Sequence, residues 1–262
     1  MSQPAIVIPT LGNPPNREWI EGHIEQWTII LVCDGGTGPQ INGTVELSIS
    51  SLGFAGAVNV GIAHAQRLGF SAVIVLNDDA FPSAGCLEDL AASVGPIIGL
   101  HSPAIVESGQ VIWGFHRSFV GHFRPAKSPH LVDFLPAVCL LMPSWARFDE
   151  GYVHGFEDFE LCRRFRRMGL PVQVLSTLRC VHQGGATCDR KSPSAQYGSC
   201  FGQLRYEGLR RSPQVMAFQL AQIVRDGSDP ARFQAAFKAA INYCWLRATA
   251  MASPKAGSSK AR

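Results

Sequence analysis

The chain has 262 residues, of which 46% are hydrophobic, so it can bury the core of one large domain and still carry an appendage. The formal net charge is only +3 and charged residues make up 16% of the chain, which gives no indication of a nucleic-acid partner. Eight singly placed cysteines, with no CxxC pair, favour a reducing cytoplasm. No apolar run approaches the roughly 20 residues that span a bilayer, and no basic segment precedes the first apolar run, so we expect a soluble or at most peripheral protein.

The first part of the chain alternates strand-like and helix-like patterns. Short apolar runs predict buried strands at 5–8, 28–33, 45–49 and 72–76, and apolar residues at helical spacing predict helices at 17–26 and 55–68. This order is typical of βαβ units, so it predicts a mostly parallel sheet with right-handed crossovers.

The middle of the chain is less regular. We predict a helix at 84–94, strands at 97–101 and 111–115, and a basic, aromatic loop at 114–130. A strand at 135–142 contains Pro136, which favours an edge position or a strand start. A strong helix pattern at 156–168 is followed by strands at 172–175 and 178–182.

From about Ser212 the pattern changes to two amphipathic helices separated by a breaker at 226–230. We therefore expect a domain at 1–211, C-terminal helices at 212–251 and a mobile tail at 252–262. Such helices pack on the parent domain, dock on a membrane surface or join two copies in a homodimer.

Carboxylates follow two of the predicted buried strands. Asp34 ends the strand at 28–33, and Asp78 and Asp79 come directly after the strand at 72–76. Ligands of open α/β sheets lie beyond the carboxyl ends of the strands. From the residues alone, these acids either bind a hard cation through oxygen or simply end the strands as turns.

A set of short segments occurs in a fixed order between about 5 and 187. The segments are AIVIPT, LVCDGG, SLGFAGAVNVGIAHA, VLNDDA, ARFDEGY, GFEDFELCRRFRRMG and CVHQGGAT. Together they resemble the family 2 glycosyltransferases of GT-A fold, most of all the bacterial rhamnosyltransferase-like branch. The resemblance implies an α/β, Rossmann-like fold with a mostly parallel central sheet flanked by helices, here with a C-terminal helical extension.

The resemblance also implies a pocket for a nucleotide-sugar donor. The residues implied to line it are Pro9, Thr10, Asp34, Gly53, Phe54, Gly56, Asn59, Asn77 and Asp78. Asp79 is implied as a ligand of Mn²⁺ or Mg²⁺ at the donor diphosphate, and His182 as a second ligand. A histidine after an apolar strand is also a common structural residue, so the residues alone leave both roles open for His182.

Asp158 is implied as the general base that takes a proton from the acceptor hydroxyl. Glu157 beside it either binds the acceptor or supports the start of the helix, where acids also favour the helix dipole. Candidate acceptor contacts are Trp113, His116 and His154.

The chain departs from the family pattern at three positions. Asn77 replaces the first acid of the usual Asp-x-Asp triplet, Ser51 replaces an asparagine, and Glu160 replaces an aspartate.

Taken as a whole, the resemblance predicts an inverting, metal-dependent glycosyltransferase. Its donor would be a UDP-, dTDP- or GDP-linked sugar, and its acceptor a carbohydrate or a lipid-linked glycan of surface polysaccharide synthesis, at the inner face of the plasma membrane.

Two other functions stay open at this stage. The Asn77 departure is also compatible with a catalytically silent scaffold that binds nucleotide sugars. A nucleotidyltransferase of the same fold would need a Gly-rich, Lys-bearing loop after the first strand, and residues 12–17 do not provide one.

Overall fold

The computed structural model describes residues 3–93, 95, 99–117, 123–152, 155–184, 192–208, 212–225 and 229–252. The chain forms two compact units. The first comprises Met1–Gly151 and Glu157–Cys188, and the second comprises Tyr152–Phe156 and Asp189–Arg262.

The first unit is an α/β structure. Its strands are β1 (Ala5–Thr10), β2 (Ile29–Asp34), β3 (Val45–Ile49), β4 (Ala72–Leu76), β5 (Ala80–Pro82), β6 (Leu100–Glu107), β7 (Gln110–Ile112), β8 (Phe115–Arg117), β9 (Phe123–Pro125), β10 (Cys139–Pro143) and β11 (Val172–His182). Its helices are α1 (Arg17–Glu21), α2 (Gly53–Arg67), α3 (Cys86–Ala92) and α4 (Glu157–Arg167), with a short 3₁₀ helix at Pro129–Leu131.

The central sheet has the strand order β3-β2-β1-β4-β10-β6-β11-β5, with β7 paired to β6. Strands β1, β2, β3, β4, β6 and β11 run in one direction, and β5, β7 and β10 run in the other. Strands β8 and β9 form a separate hairpin. The predicted fold class, a mostly parallel sheet flanked by helices, is confirmed.

Close packing of α2 on the sheet depends on a glycine. Helix α2 lies against β1 and β2, and all residues of β2 are buried. A Cβ atom at Gly61 would lie 2.4 Å from Cγ1 of Val7 and 3.0 Å from Cγ2 of Val32. Glycine therefore lets the helix approach the strands more closely than alanine would.

Several predicted elements differ from those observed. The helix predicted at 17–26 ends at Glu21, and the strand predicted at 97–101 is the longer β6, which continues to Glu107. The prediction of an edge position for 135–142 is wrong, because β10 lies between β4 and β6. Pro136 precedes β10, so its missing N–H removes no ladder bond from this interior strand.

Other differences concern strands near the end of the first unit. The two strands predicted at 172–175 and 178–182 form one irregular strand, β11, with a register shift between Leu175 and Arg179. The loop predicted at 114–130 contains the β8–β9 hairpin, and its residues 118–122 lie outside the described part of the chain.

The second unit is helical. It contains α5 (Pro193–Glu207), α6 (Ser212–Arg225) and α7 (Pro230–Ala252). Its buried apolar residues are Cys200, Phe201, Leu204, Val215, Ile223, Ala236, Ala239 and Tyr243. Helix α5 thus packs with the two predicted C-terminal helices, and the sequence analysis, which placed residues 193–207 within a domain at 1–211, predicted no helix there. Residues 200–204 of α5 are all buried, so this helix is buried all round and does not show the single apolar stripe that marks a surface helix in a sequence.

Among the described helices, none combines the length and the apolar character that crossing a bilayer requires. The tail predicted to be mobile, from 253 onward, lies outside the described residues.

Candidate functional site

The carboxyl ends of three parallel strands bring the predicted polar residues to one edge of the sheet. Thr10 ends β1, Asp34 ends β2, and the Asn77-Asp78-Asp79 turn follows β4. Strand β1 pairs in parallel with both β2 and β4, so these ends are neighbours. This is the edge at which ligands of open α/β sheets bind.

Both acids of the turn after β4 are buried. The Thr10 hydroxyl donates a hydrogen bond to the carboxylate of Asp78. Burial raises the pKa of Asp78 to about 6, and the charge of Asp79 adds to this shift, although the Thr10 bond opposes it. The turn therefore concentrates negative charge where little water reaches it.

Asn16 holds this acidic turn in place, a role that sequence reasoning missed. It is fully buried, and its backbone N–H donates to the Asp78 carbonyl at 2.9 Å. Its side-chain Nδ2 donates to the carbonyls of Asn77 at 3.2 Å and Ala80 at 3.1 Å. The Oδ1 atoms of Asn16 and Asn77 are buried and have no hydrogen-bond partner within the described part of the chain.

His182 lies between two carboxylates. Its Nε2 is 3.1 Å from Oδ1 of Asp79, and its Nδ1 is 3.1 Å from Oε2 of Glu107. Strand pairing explains both contacts, because β11 places His182 opposite Ala80 of β5 and opposite Glu107 of β6. Burial lowers the pKa of His182, but the hydrogen bonds and charges of Asp79 and Glu107 outweigh burial and raise this pKa above its ordinary value.

Glu107 is a second residue that sequence reasoning missed. The strand predicted at 97–101 was too short to include it, although an acid before the Ser108-Gly109 turn is a recognisable strand end.

Asp79 and His182 are side chains of the types that bind divalent cations. Across the described residues, no three or more His, Cys, Asp and Glu side chains are grouped to hold a metal ion. Asp79 and His182 nevertheless present adjacent oxygen and nitrogen donors, and a metal-binding histidine commonly donates its other N–H to a carboxylate, the position that Glu107 occupies. The Oδ1 atom of Asn77 is a further buried oxygen acceptor in the turn that carries Asp79.

Asp34 fastens the start of α2 to the end of β2. Its Oδ1 accepts the N–H of Leu52 at 2.7 Å, and its Oδ2 accepts the N–H of Gly53 at 2.8 Å. Both oxygens of a buried carboxylate are thus used within the protein. Gly53 has a φ angle of +73°, which favours glycine at this point of the turn.

Asn59 and Phe54 join α2 to the segment around Phe148. The Asn59 amide donates to the Phe148 carbonyl at 2.9 Å and to the Glu150 carboxylate at 2.8 Å, and accepts the Phe148 N–H at 2.8 Å. The rings of Phe54 and Phe148 meet edge to face, with centroids 5.7 Å apart. A Cβ atom at Gly56 would lie 2.6 Å from Cβ of Leu52, so this glycine permits the tight start of α2.

Asp158, in the first turn of α4 beside Glu157, is linked to the acidic turn by one short segment. Its carboxylate accepts the N–H of Phe159 at 2.8 Å and the N–H of Ala137. The next residue, Val138, accepts the N–H of Asn77 at 2.9 Å. Burial raises the pKa of Asp158 to about 6, although these backbone bonds oppose the shift.

The β8–β9 hairpin packs on Phe159, the residue after Asp158. The ring of Phe159 contacts those of Phe115, Phe123 and Phe134, with centroid distances from 4.8 to 5.5 Å. The candidate acceptor residue His116 lies in this hairpin, paired with Arg124.

The remaining candidate acceptor and donor residues are Trp113, Pro9 and His154. The Trp113 ring is covered by the Arg179 guanidinium, 5.1 Å from the ring centroid. Pro9 is half-buried in β1, and His154 lies outside the described residues.

No protein-family model matches the chain, and no curated protein matches it. Several solved structures are similar in outline. A putative nucleotide-diphospho-sugar transferase from Desulfovibrio desulfuricans matches with 11% identity and a TM-score of 0.38, covering 83% of this chain and 99% of its own.

Mannose-1-phosphate geranyltransferase from Thermus thermophilus matches with 14% identity and a TM-score of 0.37, covering 70% of this chain and 74% of its own. A glycosyltransferase involved in the glycosylation of the major capsid of PBCV-1 matches with 12% identity and a TM-score of 0.33, covering 69% and 82%. Since each of these TM-scores lies below 0.5, we draw no functional argument from the similarities.

Proposed function

We propose that the protein is an inverting, metal-dependent glycosyltransferase that uses a nucleotide-activated sugar. The observation that supports this most is the buried pair of Asp79 and His182, in which Oδ1 and Nε2 are 3.1 Å apart. Residues 137–138 connect Asp158 to the same edge of the sheet. A cation site and a base at one edge are the two parts that this reaction needs.

Asp79 and His182 would hold Mn²⁺ or Mg²⁺, which when bound neutralises negative charge on the diphosphate leaving group. Glu107 keeps the His182 ring oriented with Nε2 towards Asp79. Asn16 fixes the backbone of the turn that carries Asp79, so the position of this ligand is set before the donor binds.

Asp158 acts as the general base. With a pKa of about 6 it is largely ionised at neutral pH, and it is a stronger base than an ordinary aspartate. It removes the proton from the acceptor hydroxyl as that oxygen attacks the anomeric carbon from the side opposite the diphosphate, so the sugar configuration inverts. Glu157 and the hairpin residue His116 are proposed to bind the acceptor, together with Trp113 and His154.

The donor is proposed to be a UDP-, dTDP- or GDP-linked sugar, and the acceptor a hydroxyl of a carbohydrate or glycolipid. The donor contacts are assigned to the backbone and side chains of Pro9, Thr10, Gly53, Phe54 and the Asn77-Asp78 pair. Asp34 and Asn59 are also assigned to this pocket, and their hydrogen bonds to the protein hold its loops in place.

The test is sugar transfer from a panel of nucleotide sugars with Mn²⁺, with NMR assignment of the anomeric configuration of donor and product. Asp158→Asn should lower kcat by about 10² to 10⁴, the usual contribution of a positioned base. Asp79→Asn should weaken Mn²⁺ binding, measured by calorimetry, and Asp89→Asn on the exposed side of α3 is the matched control for both variants.

Wild-type turnover in Asp158→Asn would overturn the assignment of the base, and retention of configuration would overturn inversion. Binding of a nucleotide sugar with no turnover of any donor would instead favour the silent scaffold that the Asn77 departure suggested.

A further inference from the structure

One face of α4 lies along residues 132–137, the segment that leads into β10. Three helix residues, each four positions from the next, contact successive parts of this segment. The helix residues and their partners are Arg166 with the carbonyls of Val132 and Asp133, Cys162 with Leu135, and Asp158 with the N–H of Ala137. The segment therefore runs antiparallel to the helix, and Cys162 makes the middle contact.

The thiol of Cys162 binds both backbone groups of Leu135. Its Sγ accepts the Leu135 N–H at 3.3 Å, and its S–H donates to the Leu135 carbonyl, with Sγ and O 3.8 Å apart. Both residues are fully buried, so water does not replace either bond. Burial raises the pKa of Cys162 to about 12, although the bond to Leu135 opposes this rise, and the charges of Asp158 and Arg166 act on the thiol with opposite signs. The thiol therefore keeps its proton at neutral pH and acts as donor and acceptor together.

The position of Leu135 decides where the next donor of the segment lies. Pro136 has no N–H, so Ala137 carries the next donor, and this N–H binds the carboxylate of Asp158. Two residues of chain reach at most about 7 Å, and four residues of helix advance about 6 Å. Because the reach barely exceeds the helix step, a shift of Leu135 would carry the Ala137 N–H away from Asp158.

We propose that Cys162 is a positioning residue for Asp158, which it aligns through Leu135 and the N–H of Ala137. The proposal rests on the proposed function, in which Asp158 is the base, but the state of Asp158 can be measured without turnover. The Ala137 N–H stabilises the charged carboxylate, so loss of this bond should raise the pKa of Asp158 further above its ordinary value. A residue that only packs α4 against the segment would leave this pKa unchanged.

The test is an NMR titration of the Asp158 carboxyl carbon in the full-length protein with isotope-labelled aspartate, and Asp158→Asn assigns the signal. Cys162→Ala and Cys162→Val both remove the sulfur, and valine also keeps the site filled with an apolar side chain. In both variants the pKa of Asp158 should rise by about 0.5 or more. Cys162→Ser keeps a donor and an acceptor, so its Asp158 pKa should stay near the wild-type value.

Cys200→Ala is the matched control, because Cys200 is also a fully buried cysteine whose thiol meets a backbone carbonyl, that of Ala236 at 3.6 Å. It should lose stability in urea titrations, as Cys162→Ala does, and leave the pKa of Asp158 unchanged. With an active donor, the rising limb of kcat/KM should move to higher pH in the alanine and valine variants by the same amount as the NMR pKa. Their kcat should fall by about tenfold or more, because the base is misplaced.

An unchanged Asp158 pKa in both Cys162→Ala and Cys162→Val would overturn the positioning role, as would an equal rise in Cys200→Ala. Failure of the proposed function gives a different result. If the wild type transferred no sugar from any donor while the Asp158 pKa rose as expected in both Cys162 variants, Cys162 would remain the residue that positions Asp158, and the glycosyltransferase reaction alone would be wrong.

Discussion

Replacement of Asn16 by alanine tests how the acidic turn is held. The change removes the two hydrogen bonds from Nδ2 to the carbonyls of Asn77 and Ala80, in a site that is fully buried. Each buried carbonyl that loses its donor costs about 1–3 kcal/mol. Two effects reduce the sum, because Asn77 O still accepts the N–H of Ala80 and because the alanine variant no longer buries the unpartnered Oδ1. We expect a net loss of about 2 kcal/mol in the free energy of unfolding.

Urea denaturation measures this loss, and Asn13→Ala is the matched control, since Asn13 is an exposed asparagine of the same segment. Asn16→Asp should be at least as destabilising, because it removes the same donors and adds a negative charge beside Asp78. Both Asn16 variants should also bind Mn²⁺ more weakly than the Asn13 control. An Asn16→Ala protein within about 0.5 kcal/mol of wild type would refute the role of this residue as a clamp.

A pH profile and two substitutions give three further predictions. Asp158 has a pKa of about 6, so kcat/KM should rise with pH up to about this value and then level off, and a profile without this limb would contradict the base assignment. Gly61→Ala should lower the free energy of unfolding by about 1–3 kcal/mol in urea titrations, because the added Cβ would lie 2.4 Å from Val7. This clash outweighs the preference of helices for alanine over glycine, about 1 kcal/mol. A stabilised variant would refute the close approach. Burial lowers the pKa of His101 in the folded protein. As pH falls below about 6.5, His101 therefore takes up a proton in the unfolded chain before it does so in the folded protein, and the free energy of unfolding decreases. His101→Leu should flatten this loss in denaturation curves between about pH 7 and 5, whereas parallel curves would contradict it.

Local apolar patterns were sufficient to predict the sheet edge. The run from Ala72 to Leu76 is buried throughout, and the acids after it lie at the carboxyl end of a parallel strand, as the pattern indicated. This succeeds because a strand buried on both faces needs a continuous apolar run, which is visible in the sequence without knowledge of its partners.

Contacts between distant segments could not be predicted in the same way. Glu107 reaches His182 only because β6 and β11 still pair in parallel at their carboxyl ends, beyond a register shift between Leu175 and Arg179. No local pattern marks such a shift. Asn16 is a similar case, because its partners lie more than 60 residues away and its own segment reads as a Pro- and Asn-rich loop.

The structure also separates two kinds of residue within the segments that carry the family resemblance. Asp34 and Asn59 have polar atoms that are hydrogen-bonded to Leu52, Gly53, Phe148 and Glu150, so their side chains shape the loops around the sheet edge. The carboxylate of Asp79, by contrast, faces the Nε2 of His182, a pairing that a divalent cation could replace with two ligand bonds. Asp34 therefore acts on the backbone of the loop at Leu52 and Gly53, whereas Asp79 fixes the side chain of a residue on a neighbouring strand. Under the proposed function, substitution of Asp79 should change Mn²⁺ binding more than substitution of Asp34 does, because both oxygens of Asp34 are already bonded to backbone N–H groups.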